Sequence, residues 1–593
     1  MTFTMFLGLI GGLALFLYGM ELLGTQLRIL SGSRLEALLR KLTSNRLKAV
    51  MLGLAVTAVI QSSSATTVMV VGFVNSGIMQ LQQTVGIIMG ANIGTTVTAW
   101  ILSLTGLSGD SFIVTLLKPS TFVPILAAVG IVLVMIHRRD RTKDIGLTLL
   151  GFALLMYGME MMSAAMNPLS DNPAFTSLMV RFRNPILGVA AGAILTAIIQ
   201  SSSASVGILQ ALALTGNMSY AACLPIILGQ NIGTCITAIL SSIGAETNAK
   251  RAALIHLFFN LIATTIFLIT FYIFNSFLHF AFMEEVATPV GIALIHSIFN
   301  IGATVLLFPF ANQLTDLTKV VLKDPPQTHP ATVEEQLFRR LDERFIQEPA
   351  LAVAQAKEVL AQMSNYVEEN VNQAISLGIN GQKFNRQTYE SIFKTEELID
   401  TYSDKLGTYL VRLSQQPLNE QDNSTVNMLL FTLSDLTSID DYSNRIAEAF
   451  RGKDKDRVSF TPEAEEELAI FLHALQRVTS DAIDVLVRQD ETDALRIEPL
   501  GEVVHDLTKK LRKRHLKRVR EGRCTVEHGI HFLEIVNSAD RISEHCSHIG
   551  SRLIELKAGE LDMHEYKKTI RSDERFDRLY REYRTKYKLP PKK

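Results

Sequence analysis

The sequence predicts an all-α protein in two parts: a polytopic membrane domain built from an internal repeat, then a soluble helical bundle. Three observations carry this. The chain has 593 residues with 48% hydrophobic and 19% charged side chains, but the charges are rare up to about position 322 and dense from 323 onward. The first half holds apolar stretches near the ~20 residues needed to cross a bilayer core as a helix. Three separate motifs in that half recur at one constant offset.

Spans are expected at 3–24, 84–104, 119–136, 145–166, 221–243, 252–278 and 287–311. Basic residues orient them. The stretch 25–48 carries Arg28, Arg34, Arg40, Lys41, Arg46 and Lys48, and 137–143 is similarly basic, so both are expected on the cytoplasmic side. Seven spans then leave the N-terminus outside and the C-terminal part in the cytoplasm, with the chain in the inner (cytoplasmic) membrane. The N-terminal stretch lacks the basic flank and cleavage site of a signal peptide and reads as a retained span. The net charge of -1 averages two unlike halves and excludes nothing by itself. Four cysteines, Cys223, Cys235, Cys524 and Cys546, show no zinc or disulfide spacing.

Two further apolar stretches, 47–77 and 186–216, are interrupted midway by polar residues. Arms that short cannot span, so each is expected to be a re-entrant hairpin.

Tyr18-Gly19-Met20-Glu21 recurs at Tyr157-Gly158-Met159-Glu160, Gln61-Ser62-Ser63-Ser64 at Gln200-Ser201-Ser202-Ser203, and Asn92-Ile93-Gly94-Thr95 at Asn231-Ile232-Gly233-Thr234, all 139 positions apart. Repeat 1 covers about 3–136 and repeat 2 about 145–278, with an extra span at 287–311. Three spans and a hairpin per unit make the second unit enter from the opposite side: an inverted repeat, the architecture of many secondary transporters. A smaller echo, His256 and Asn260 against His296 and Asn300, reads first as hydrogen bonding between spans.

The repeated polar residues suit a tetrahedral oxyanion. Gln and Ser side chains donate and accept without net charge, and a second hairpin arm starting near Ser62 presents a helix N-terminus to an anion. In the Asn-Ile-Gly-Thr segments glycine permits a broken helix, whose carbonyls with Asn and Thr oxygens suit sodium. Neither the hairpins nor 84–104 and 221–243 contain Asp or Glu, which favours sodium over a proton relay. Importing a divalent anion against roughly 100 mV costs about 4.6 kcal/mol, which two or more sodium ions would cancel. No Gly-rich nucleotide loop is present, so neither an enzyme nor an ATP-driven pump is expected.

On these residues the chain resembles the bacterial branch of the type II sodium/phosphate cotransporter family, whose hallmark is the paired Gln-Ser-Ser-Ser motif. The resemblance covers roughly 1–320. It implies that Gln61, Ser62, Ser63, Ser64, Gln200, Ser201, Ser202 and Ser203 bind phosphate and sodium, with Asn92, Thr95, Thr96, Asn231 and Thr234. The halves differ in that Gln230 and Cys235 stand where repeat 1 has Ala91 and Thr96. A phosphate sensor that does not turn over, and a transporter or exporter of another oxyanion, stay open as alternatives.

A proline-rich linker is expected at 321–334, followed by a bundle of about six helices over 335–585 and a short tail at 586–593. Its apolar stripe starts at Leu337, Leu341 and Phe345. Asp540-Arg541-Ile542-Ser543-Glu544-His545 and Ile439-Asp440-Asp441-Tyr442 resemble the PhoU family, which is made of two three-helix bundles and linked to phosphate regulation. The resemblance implies metal binding at acidic positions: Asp540, Glu544, Glu502 and Asp506 in one bundle, Glu396, Asp400 and Asp441 in the other, with a divalent or trivalent ion. Thr437 departs from the pattern. No other cofactor is expected. The basic run 509–523 reads as a solvated helix face or a contact with anionic headgroups. Expected partners are phosphate, sodium, the lipid bilayer and a second copy in a homo-oligomer. No nucleic acid is expected, because no recognition motif accompanies the charge.

Overall fold

The computed structural model describes residues 3–40, 45–106, 118–136, 140–169, 177, 179–324, 332–378, 384–488, 491–558 and 574–591. Residues 325–331 of the expected linker fall outside them. The chain forms two compact units, Met1–Leu351 and Ala352–Lys593. Apart from one isolated antiparallel bridge, Ser219 to Val286, the described residues are helical or irregular.

The first unit runs α1 (Phe3–Arg40), α2 (Arg46–Ile60), α3 (Ser63–Asn75), α4 (Leu81–Ser103), α5 (Pro119–Ile136), α6 (Asp140–Met166), α7 (Pro185–Ile199), α8 (Ser202–Ala213), α9 (Tyr220–Ser241), α10 (Thr247–Leu278), α11 (Pro289–Leu307) and α12 (Ala311–Val321). Seven of its helical stretches are long and apolar enough to cross a membrane, and they fall on the seven expected spans. α1 continues to Arg40, well past the expected end at 24. Hydropathy marks where the apolar stretch ends, and the helix runs on past that point through Ser31-Gly32-Ser33. The hairpin arms α2, α3, α7 and α8 have 15, 13, 15 and 12 residues, too short to span.

The expected helix breaks at Asn-Ile-Gly-Thr do not occur. α4 and α9 run through both segments as continuous helices. The glycines there serve close approach instead. A Cβ on Gly90 would lie 2.0 Å from the Val50 carbonyl oxygen, and one on Gly229 2.0 Å from that of Val189. One turn on, Gly94 faces Leu54 and Thr57 as Gly233 faces Ala193 and Thr196. Each hairpin's first arm is thus seated backbone to backbone on the span that follows, the contact small residues permit in a membrane.

The repeats meet through α1 and α6. Gly12 packs on the Gly158 carbonyl and Gly19 on that of Gly151. Gly12 and Gly151 are repeat mates, as are Gly19 and Gly158. The contact is therefore isologous, as a pseudo-two-fold axis between the units requires. Gly19 and Gly158 of the Tyr-Gly-Met-Glu repeats thus lie in that contact.

Residues 332–351 depart from the expected boundary. The stripe at Leu337, Leu341 and Phe345 is not a bundle helix: α13 (Val333–Phe338) is followed by a 3-10 turn, Glu343–Gln347. Pro349 keeps Glu348 before it out of the helical region, at φ -123° and ψ 80°. Phe345, fully buried, sits on Gly72 with its ring 5.4 Å from Phe73 on α3. Asp342 accepts from Asn75, and Arg344 donates to the Ser241 carbonyl. This segment straps the first unit.

The second unit holds most of α14 (Pro349–Ser376), then α15 (Arg386–Ser414), α16 (Glu420–Lys455), α17 (Pro462–Arg488), α18 (Glu491–Ala494), α19 (Ile497–Arg520), α20 (Val526–Ala558) and α21 (Glu574–Lys586). α14, α15 and α16 form one three-helix bundle around Val367, Ile399, Leu406, Leu436 and Ile439; α17, α19 and α20 form the other around Leu472, Leu475, Val504, Leu511 and Ile542. α16 and α20 join the two: Asp435 accepts from His545 and from Arg552.

Candidate functional site: two facing hairpin tips

The two tips are built alike. Gln61 and Gln200 close the first arms in the left-handed conformation, φ 60° ψ 24° and φ 60° ψ 19°. Their N–H groups donate to Thr57 and Thr196 carbonyls at 2.8 and 2.7 Å. A non-glycine side chain there is strained by ~1 kcal/mol or more, and glycine would relieve it, so the amide is kept for what it does. Ser62 and Ser201 cap the second arms, their Oγ atoms accepting from Ala65 and Ala204 N–H at 3.1 and 3.2 Å. The second arms therefore start at Ser63 and Ser202, both buried.

The tips touch. Ser64 Oγ donates to the Gln200 carbonyl oxygen at 3.2 Å. Gln61 Oε1 accepts from Thr98 Oγ1 on α4 at 2.8 Å, and its amide donates to the Ala58 carbonyl. Along α4 and α9 the polar residues match by repeat. Asn92 and Asn231 donate to Ile88 and Ile227 carbonyls at 3.3 and 3.1 Å, and Thr95 and Thr234 to Ala91 and Gln230 carbonyls at 3.0 and 2.9 Å. Thr96 donates to Ile93 at 2.7 Å. These side chains return to their own helix and leave side-chain oxygens as acceptors.

The repeats differ in how their buried hydroxyls are paired. In repeat 1 Thr57 donates to Thr66 at 3.0 Å. Their mates Thr196 and Ser205 are buried with hydroxyls that find no partner among the described residues. Thr237, the mate of Thr98, is likewise unpartnered, and so are both polar atoms of Gln230, fully buried on α9. Unpaired buried oxygens cost ~1–3 kcal/mol each, and a hard cation is one way to satisfy several together. Thr57, Thr66, Thr98, Thr196, Ser205 and Thr237 were not singled out from the sequence. The 139-residue offset marks Thr57/Thr196 and Thr98/Thr237 as identical pairs, so a register alignment of the repeats contains them.

The histidines do not act as the sequence suggested. His256 and His296 are buried, and among the described residues His256 Nδ1 and both ring nitrogens of His296 lack partners. The helix-to-helix bond is made by Asn260, which reaches Cys235 Sγ at 3.4 Å.

In the second unit the two acidic sets differ. Glu396, Asp400 and Asp441 come together beside Asp440; burial first and neighbouring carboxylates next raise Glu396 and Asp441, and burial pushes Asp440 up to about 7. Asp440 accepts from Asn370 at 2.8 Å. Repulsion among these carboxylates thus adds to the effect of burial. In the other bundle Asp540 pairs with His505 at 3.1 Å, Glu544 with Arg541 at 2.7 Å, and Asp506 accepts from Tyr580 at 2.6 Å. Asp540 thus has His505 and, at 3.9 Å, Arg512 against it, Glu544 an arginine and Asp506 a hydroxyl donor. Glu502 lies on the same helix as Asp506.

Known proteins match both halves of the chain. Residues 15–164 and 154–286 match the family described as Na+/Pi-cotransporter, and 360–450 and 472–553 match the PhoU domain. YjbB of Escherichia coli (strain K12), provisionally named for inorganic phosphate export, is 24% identical over 522 residues, 87% of this chain and 91% of its own. The PhoU homolog 1 accessory protein of a phosphate-specific transport system from Thermotoga maritima is 26% identical, over 36% of this chain and 91% of its own. Sodium-dependent phosphate transport protein 2A of Rattus norvegicus is 33% identical over 98 residues, 16% of this chain and 15% of its own.

Proposed function

We propose that this chain, which belongs to the Na+/Pi-cotransporter family over residues 15–286 and carries PhoU domains between 360 and 553, moves inorganic phosphate across the inner membrane with sodium as the coupling ion. The observation that carries this reading is the bond from Ser64 to the Gln200 carbonyl, which brings the tips of two repeat-related hairpins to one place. Their hydroxyls and amides offer neutral donors to a tetrahedral oxyanion. The unpaired oxygens of Thr196, Ser205, Gln230 and Thr237 offer acceptors to sodium in the second repeat. Alternating access would exchange the roles of the two repeats about the α1–α6 axis. The basic stretches at 25–48 and 137–143 support an N-terminus outside and a cytoplasmic second unit. That unit regulates transport, and its Glu396, Asp400 and Asp441 cluster takes a divalent or trivalent cation.

Net export is the second reading of direction, favoured by the name of the Escherichia coli relative that matches 87% of this chain. Phosphate binding to the purified protein in nanodiscs, titrated in sodium and in potassium, tests the site. Tighter binding in sodium supports coupling. Equal affinity in both cations removes it.

A further inference from the structure

The basic run on α19 opens a second question. With α17 and the chain's last described residues it walls a pocket of about 690 Å³. Six cationic side chains line it (Lys513, Arg514, Lys517, Arg518, Arg520 and Arg523) against three carboxylates, Glu463, Glu466 and Glu467. Part of that charge is internally matched. Glu467, itself buried, holds Arg514 at 2.6 Å and Arg518 at 2.8 Å, in both cases through Nη1. Glu521 takes Lys517 and Arg523. Lys513 and Arg520 have no ion pair among the described residues.

Arg518 is the unusual member. It is only 4% exposed, yet its Nε and Nη2 have no acceptor among the described residues. Those two N–H groups share one edge of the guanidinium, the fork that binds two oxygens of a carboxylate or phosphate together. Glu467 occupies the opposite corner. Phe532, its ring centroid 5.6 Å from the guanidinium carbon, is a cation–π neighbour and supplies no oxygen. A buried charged group with an empty fork is costly unless something fills it.

We propose that this pocket binds a phosphoryl oxyanion, with Arg518 turning its Nε/Nη2 edge into the pocket it lines and Lys513 and Arg520 supplying the remaining charge. The pocket is far larger than one phosphate ion, so the group can be free phosphate or the headgroup of a phospholipid. Both present the same chemistry to the fork. The site is separate from the hairpin tips and needs no sodium.

Calorimetry on the full-length protein in detergent tests this, in potassium buffer free of sodium. One arm titrates inorganic phosphate, the other dihexanoylphosphatidic acid below its micelle concentration. We expect saturable binding of at least one probe, retained when Ser62, Ser63 and Ser64 are all alanine. Phosphate alone would identify a free ligand, phosphatidic acid alone a lipid headgroup. Arg518→Lys keeps the charge and loses the fork, and should weaken binding about tenfold, about 1.4 kcal/mol. The exposed pair Lys513→Gln/Arg520→Gln should weaken it without disturbing the Glu467 clamp, with the melting temperature as control. Saturable binding of neither probe overturns the proposal. So does wild-type affinity in both variants, or binding that vanishes with the hairpin serines.

Discussion

Ser64 Oγ, on the second arm of the first hairpin, donates to the main-chain oxygen of Gln200, the last residue of the second hairpin's first arm, at 3.2 Å. The two residues are 136 positions apart in sequence. This bond ties the tips together by a side chain that a bound oxyanion can recruit as a donor.

Ser64→Ala and its repeat mate Ser203→Ala should therefore raise the phosphate KM. A hydrogen bond to a charged group contributes about 1.5–3 kcal/mol, so the rise is expected at roughly 10–100-fold per site. Initial rates in reconstituted vesicles read it. Unchanged KM in both variants would remove these serines from the site.

Gly90→Ala and Gly229→Ala should destabilise the first unit, because each new Cβ would lie 2.0 Å from a carbonyl oxygen in backbone that cannot yield cheaply. Overpacking of this kind costs ~1–3 kcal/mol or more. The three atoms nearest a Cβ on Gly106 belong to the Pro289 ring, the first at 2.8 Å, so alanine there should cost less. Melting temperatures of the purified variants give the order.

The strap at 332–351 sets where the chain can be cut. A protein ending at 351 should stay folded in detergent, whereas one ending at 334 loses Phe345 from its seat on Gly72 and should melt lower. Phe345→Ala in the full chain should cost about 3–5 kcal/mol. Equal melting of the two truncations would show that the strap contributes nothing to the first unit.

Asp440 predicts a pH signature. Burial raises its carboxyl to about 7, so the folded chain holds a proton that the unfolded chain releases near pH 4. Its contribution to stability is present at pH 4 and is lost as pH rises toward 7, after which the curve flattens. Asp440→Asn should remove that slope and gain on the wild type from pH 5 to pH 8. Manganese or zinc, by stabilising the ionised cluster, should narrow the gap at pH 8. Thermal melts across pH decide, and parallel curves would contradict the assignment.

Much of the membrane half was legible in the sequence, for definite reasons. Apolar length separates spans from hairpin arms, and a constant offset fixes the repeat register, so the arms fell within a few residues of α2, α3, α7 and α8. Gly94 and Gly233 were misread because glycine in an apolar helix signals either a break or a close neighbour, and only the packing of α2 and α7 decides. Phe345 lies in an amphipathic stretch that sequence spacing assigns to a bundle; its partner Gly72 is 273 positions away. The unpaired oxygens of Thr196, Ser205 and Thr237 were invisible for the opposite reason: their repeat 1 counterparts are paired, and pairing is a property of the fold. In the second unit the acidic motifs were visible, but not which ones have Arg, His or Tyr donors against them.

The measurement that bears most directly on the hairpin site is radiolabelled phosphate movement into liposomes holding the purified protein, with an inward sodium gradient or an equal potassium gradient. Phosphate accumulation that needs sodium, and that disappears when Ser62–Ser64 or Ser201–Ser203 are alanine in folded protein, is the expected result. Sodium-independent movement, or sodium-driven movement that survives both sets of substitutions, would contradict it.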